Sequence, residues 1–264
     1  MGLSSYLKEG PSQGLVQQKL NWLIELDESL GRTSIHHRTG FLAMQRNEIF
    51  IPLEEVKLEG ELNLPPDASS LVLFAHGSGS SRHSPRNQFV ARSLRQQGRI
   101  GTLLFDLLTA EEERAETHTR HLRFNIPLLA DRLIAVTRWV LDHVAARDMN
   151  VGYFGSSTGA AAALVAAAEL PRVVGAVVSR GGRPDLAGDA LSHVKASTLL
   201  IVGSNDKPVI SLNEEAYYLL HCERALRIVP GASHLFEENG ALEKVAAMAS
   251  DWFAGHLQPL TNHA

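Results

Sequence analysis

Residues 155–159, Gly-Ser-Ser-Thr-Gly, form a G-x-S-x-G pattern centred on Ser157. A serine hydroxyl attacks carbonyl carbon only when a base takes its proton and fixed dipoles receive the negative charge that develops. The pattern therefore carries meaning only where the surrounding chain supplies both. It occurs a second time at Gly10-Pro11-Ser12-Gln13-Gly14, but that copy follows no apolar run and lies in a polar stretch. Ser157 is placed differently. VGYFG before it reads as a strand, and the alanine-rich run from Ala160 reads as a helix. A serine on such a sharp turn stands clear of the sheet. The next N–H, that of Thr158, falls at a helix N-terminus and can face an oxyanion.

The partners are expected later in the chain. Asp206 follows the apolar run STLLIVGSN, and His234 follows RALRIVPGAS just ahead of a helix. Each thus ends a predicted strand, in the order serine, acid, histidine. An aspartate after a strand is often only a helix cap, and a single histidine is usually a surface or core residue. Three such residues at three expected places favour a triad of Ser157, Asp206 and His234. His76-Gly77-Ser78-Gly79 closes another apolar run, and its glycines let the backbone approach a substrate. The N–H of Ser78 is the expected second oxyanion donor beside that of Thr158. The loop has neither the lysine of a phosphate-binding loop nor the spacing of a dinucleotide loop.

The elements that must position these groups follow from periodicity. Residues 48–63 alternate apolar and polar, which predicts two antiparallel strands near a sheet edge. Apolar runs at 70–77, 101–108, 150–155, 172–181, 197–206 and 224–234 then alternate with helical stretches at 87–97, 126–147, 158–169, 212–221 and 240–256. That rhythm predicts an α/β fold, a mostly parallel twisted sheet with helices on both faces. Ligands in such a sheet bind beyond the carboxyl ends of the strands. Residues 1–40 read as an extension carrying an amphipathic helix at 15–30, and 41–264 as a single domain. The helix could cover the core or join two copies of the chain. Only residues 182–196 separate two of the late strands, too few for a large cap domain. The charged stretch 109–125 is expected to be a solvated loop and helix start.

Composition removes several function classes. The 264 residues carry a formal net charge of −4 without long runs of one sign, which speaks against nucleic acid as a partner. A single cysteine, Cys222, excludes an intrachain disulfide and any metal site of paired cysteines. His118 and His121 lack a nearby carboxylate to complete a zinc set, so no metal is expected. The start has no apolar leader core, and no run is long enough to span a bilayer. A cytoplasmic protein with no membrane partner is the expectation.

The segments HGSGSSRHSPRN, GYFGSSTGAAAAL, SRGGRPDLAG, IVGSNDKPV and PGASHLFEE resemble those of the dienelactone-hydrolase-like branch of the α/β hydrolases, over about residues 45–256. The resemblance implies the α/β-hydrolase fold and hydrolysis without a cofactor, with Ser157, Asp206 and His234 in the catalytic roles. It departs at one residue. The dienelactone hydrolases use a cysteine nucleophile where this sequence has serine, so the expectation is cleavage of small or medium carboxylic esters through an acyl-enzyme. Arg180 and Arg183 lie beyond a strand on the active face, and a guanidinium there would suit an anionic ester. The competing reading pairs Arg183 with Asp185 and has Arg180 brace a loop. A non-catalytic ligand-binding protein, or a thioesterase or acyltransferase using the same triad, stays open.

Overall fold

A computed structural model of the protein describes residues 48–97, 100–119, 121–144 and 149–257, the side chains of 97 and 117–119 excepted. These residues fall within one compact unit, Gln45–Ala264. The helix expected at 15–30 lies outside them, as does any contact it makes with a second copy.

Eight strands make one sheet: β1 (Glu48–Pro52), β2 (Lys57–Asn63), β3 (Ser70–Ala75), β4 (Ile100–Phe105), β5 (Asn150–Ser156), β6 (Val174–Arg180), β7 (Ser197–Gly203) and β8 (Arg224–Val229). Their order is β1-β2-β4-β3-β5-β6-β7-β8. β1 pairs antiparallel with β2, and β2 antiparallel with β4; every other pairing is parallel. The strands are interleaved with α1 (Pro85–Gln97), α2 (Ala110–Thr119), α3 (Ile126–His143), α4 (Thr158–Glu169), α5 (Lys207–Leu219) and α6 (Ala241–His256).

The continuous apolar runs have a direct cause. In β3, Leu71, Leu73 and Ala75 join a core with α3 and α4, while Val72 and Phe74 join a second core with α1 and α6. Successive side chains of a strand point to opposite faces, so a sheet covered on both sides must be apolar at every position. All six residues of β3 are buried. Nine residues of α4 are buried, most of them alanine, which lets this helix lie close against the sheet.

Two expectations are corrected in detail. The helix expected from residue 212 starts at Lys207, with Pro208 in its first turn where a missing N–H costs nothing. The charged stretch after β4, expected as a solvated loop and helix start, is helical already from Ala110. It forms α2 and then a short 3-10 turn, Leu122–Phe124. Glu116, fully buried, accepts the N–H groups of His121, Leu122 and Arg123 at 2.8–3.1 Å and an ion pair from Arg123. Between β6 and β7, residues Pro184–His193 form 3-10 turns and no cap domain. No helix among the described residues is long and apolar enough to cross a membrane.

Candidate active site

Ser157 sits between β5 and α4 with φ 51° and ψ −121°, on the positive-φ side that few residues other than glycine adopt. Such backbone costs on the order of 1–3 kcal/mol and persists only where its surroundings impose it. Here they do. The Ser157 N–H donates to the Arg180 carbonyl at 3.3 Å, and the Ser157 carbonyl accepts from Arg183 N–H and Ala160 N–H, both at 3.1 Å. The flanking glycines are steric requirements. A Cβ at Gly155 would lie 2.8 Å from the Ala160 nitrogen, and one at Gly159 would lie 2.6 Å from the Ala75 carbonyl carbon. Both obstacles are backbone and cannot rotate away.

Asp206 and His234 meet as expected. His234 Nδ1 lies 2.6 Å from Asp206 Oδ2, and beside a carboxylate that nitrogen donates. Asp206 stands at the first position before α5, yet its side chain caps no helix N–H; the carboxylate is spent on the imidazole. The loops that carry the two residues are stitched together. Asn205 N–H donates to the Ala232 carbonyl at 2.9 Å, Asn205 Nδ2 to the Gly231 carbonyl at 2.8 Å, and Gly231 N–H to Ser204 Oγ at 2.7 Å. The Asp206 side chain is 13% exposed and that of His234 39%, so the acid is sheltered and the imidazole partly open to solvent. Among the described residues no hydrogen bond joins Ser157 Oγ to this ring; such contacts often close only when substrate binds.

The glycine loop after β3 lies against Ser157. A Cβ at Gly77 would be 3.0 Å from Ser157 Cβ and 3.1 Å from the Ser156 carbonyl oxygen. His76 holds the loop in place: Leu107 N–H donates to its Nε2 at 3.0 Å, which leaves Nδ1 to donate to the Gly77 carbonyl, also at 3.0 Å. Burial pushes the His76 pKa down, so the ring is neutral. Arg82 ties the far end of the loop to Asp106, just beyond β4, and to Glu59 of β2 at 2.5 Å. Sequence reasoning gave neither His76 nor Arg82 a role. The available signal was Asp106, a carboxylate just past a strand on the active face. The Ser78 N–H, expected to be a free donor, instead donates to Thr158 Oγ1 at 3.0 Å.

The two arginines part company. Arg183 forms a two-pronged pair with Asp185, Nε to Oδ1 at 2.9 Å and Nη2 to Oδ2 at 2.7 Å, and this pairing raises its pKa. The expected local pairing is therefore present, and it engages two of the three guanidinium nitrogens. Arg180 is 7% exposed. Its Nη2 reaches Asn87 Oδ1 at 3.4 Å, the long limit of a hydrogen bond, while Nε and Nη1 find no partner. Burial first, and then repulsion from Arg86, bring its pKa down to about 10, still well above neutrality. The guanidinium also lies 6.0 Å from the ring of Phe236, two residues past His234, whose own φ is 57°. Among the described residues no group of three or more histidine, cysteine or acidic side chains could hold a metal.

A crossed edge followed by a parallel sheet, a serine on a strained strand-to-helix turn and an Asp–His pair on the next loops define the α/β-hydrolase class. Three comparisons narrow this. A dienelactone hydrolase structure from Anabaena variabilis is 57% identical, with a TM-score of 0.79, over 81% of this chain and 99% of that one. By that likeness the chain belongs to the dienelactone-hydrolase family. Est1E from Butyrivibrio proteoclasticus shares the fold at 17% identity and a TM-score of 0.65, over 79% of this chain and 98% of that one. A Mycobacterium tuberculosis protein, provisionally named a phosphoribosyl transferase, is 54% identical over 215 residues, 81% of this chain and 47% of that protein. The chain spans about half the length of the curated relatives it matches. No family model matches it.

Proposed function

We propose that this protein hydrolyses carboxylic esters of small or medium size through an acyl-enzyme on Ser157. The observation that carries the reading is the Ser157 turn. Positive φ at a non-glycine residue is costly, and here it falls on a serine at the same carboxyl edge of the sheet as a hydrogen-bonded Asp206–His234 pair. In the first half-reaction Ser157 Oγ attacks the ester carbonyl, and its proton passes to His234 Nε2. Asp206 holds the ring in the tautomer that leaves Nε2 unprotonated and then stabilises the imidazolium. The carbonyl π pair moves to oxygen, where the Thr158 N–H receives it. On collapse His234 gives its proton to the departing alcohol, and water repeats the sequence to free the acid. No step needs a cofactor.

The transferase name of the mycobacterial relative is a weaker guide to this chain. The match takes in about half of that protein, and a Ser–His–Asp arrangement serves acyl transfer to a serine rather than transfer of a phosphoribosyl group. The dienelactone hydrolase from Anabaena supports hydrolysis. An anionic ester is a finer reading, favoured by the Arg180 guanidinium, which is charged, buried and two donors short of its complement.

A fluorophosphonate probe tests the nucleophile. The expected result is one covalent adduct on Ser157 and none on Ser12, with labelling abolished in Ser157→Ala. Labelling that survives that substitution would refute the assignment.

A further inference from the structure

We infer that the hydroxyl of Thr158 is itself a donor to the oxyanion, so that one residue presents both its backbone N–H and its side chain to the reacting oxygen. The inference rests on the acyl-enzyme reading and sharpens it. It starts from the Ser78 N–H, the donor expected from the glycine loop. That N–H points at Thr158 Oγ1, 3.0 Å away, and Thr158 is 2% exposed. A hydroxyl oxygen that accepts one N–H still carries a proton to give. Among the described residues nothing accepts that proton, although burial makes an unused donor costly.

Position then decides what the proton is for. Thr158 is the first residue of α4 and adjoins Ser157, and its own N–H lies at the helix N-terminus. Gly77, one residue before Ser78, approaches Ser157 so closely that a Cβ there would touch the serine side chain. Gly77, Ser78, Gly79 and Thr158 thus lie together beside Ser157, although the small crevice they share with Leu107, Leu108 and Leu129 is not lined by Ser157 itself. The chain of bonds runs from Ser78 N–H to Thr158 Oγ, and from Thr158 O–H to the substrate oxygen. Accepting the first bond polarises the hydroxyl and strengthens the second. No atom changes owner at Thr158. The carbonyl π pair becomes the oxyanion lone pair, the Ser157 proton rests on His234, and the Thr158 O–H bond stays intact throughout.

The alternative is that the hydroxyl merely occupies the Ser78 N–H and leaves it when substrate arrives. The two readings predict opposite effects of removing the oxygen at constant shape. Thr158→Val in the full chain is expected to lower kcat on a neutral ester about 100- to 1000-fold, the loss typical of one oxyanion donor, with KM changed only a few-fold. The rate of fluorophosphonate labelling should fall in parallel, because phosphonylation of Ser157 builds negative charge on the same oxygen. The pH midpoint of kcat/KM should not move, since His234 is untouched, and Thr158→Ser should recover most of the loss. A kcat in Thr158→Val equal to or above wild type would overturn the inference and return the role to the freed Ser78 N–H. Should the valine variant fail to fold by circular dichroism, Thr158→Ala is read by the same criteria. Failure of the esterase reading looks different: the wild type would then turn over no ester and show no Ser157-dependent labelling.

Discussion

Two turns lie side by side at the carboxyl edge of the sheet, and they were built by different rules. The turn after β5 carries Ser157 between Gly155 and Gly159; the turn after β6 carries Gly181 and Gly182 between Arg180 and Arg183. In the first, both glycines face backbone that cannot yield. In the second, Gly181 takes φ 51°, but a Cβ at Gly182 would meet the side chains of Ser179 and Ala160 rather than main chain. The second turn also serves the first, since the Arg180 carbonyl and the Arg183 N–H both bond to Ser157. Backbone fixes Ser157 from both sides, whatever the arginine side chains do. The first turn is thus fixed by the backbone packed around it, while at the second the chemistry depends on which distant groups the side chains find.

Substitutions can break this contrast. The largest effect is expected at Ser157→Ala, which should cut ester turnover about a million-fold, as removal of the nucleophile does in a comparable triad. Arg183→Ala, which removes only a partly exposed ion pair, should leave turnover within a few-fold. Steady-state kinetics on one neutral ester measures both, and equal losses would erase the distinction between the turns.

Stability comes next. Gly159→Ala should destabilise the protein by about 3 kcal/mol or more, because the new methyl group meets carbonyl backbone at sub-contact distance. Gly182→Ala should cost less but still measurably, since the Ser179 hydroxyl can rotate aside while the Ala160 Cβ, 2.7 Å away, cannot. Urea titration of the two variants checks the ranking, and a reversed order would mean that the Ser157 turn yields more readily than the turn after β6.

Arg180 sharpens the comparison at a smaller scale. If its two unpartnered nitrogens serve a substrate anion, the ratio of kcat/KM for a carboxylate-bearing ester over a neutral one should fall about ten- to a hundredfold in Arg180→Met. Arg183→Ala should leave the ratio unchanged. An unaltered ratio in Arg180→Met would make this arginine a brace against Asn87 and Phe236.

The smallest effect concerns pH and His76. Burial lowers the folded-state pKa of this ring below its ordinary 6.5, so its contribution is complete above that pH. As pH falls below about 6.5 the unfolded chain takes up the proton first, and stability is lost until the folded value is passed. Melting temperature followed from pH 8 to pH 5 should therefore decline more steeply in the wild type than in His76→Gln. Parallel curves would assign the acid sensitivity elsewhere.

Much of this was legible in the sequence. Six apolar runs spaced by helical stretches have few solutions other than a parallel sheet with two covers, and strands β3 to β8 appear where those runs lie. The order Ser157, Asp206, His234 could be read because each residue follows a strand, and the carboxyl ends of parallel strands gather at one edge whatever the details between them. The start of α5 was misjudged by five residues because apolar spacing outweighed Pro208, the better signal. Order in the 109–125 stretch was invisible because it depends on one carboxylate, Glu116, that accepts three N–H groups as well as an ion pair from Arg123.

The sequence by itself determined the order of strands and helices and the residues that reach the sheet edge, because periodicity expresses constraints that act along the chain. Arg183 also belongs there, its partner lying two residues away. Only the tertiary structure decided that Ser78 spends its N–H on Thr158, 80 residues on, and that Arg180 ends against Asn87, 93 residues back, with two donors unmet. The physical reason is the same for both. A hydrogen bond is made by whatever acceptor lies within about 3 Å in the right direction, and for side chains on different strands that distance is set by packing of the whole sheet rather than by any spacing in the sequence.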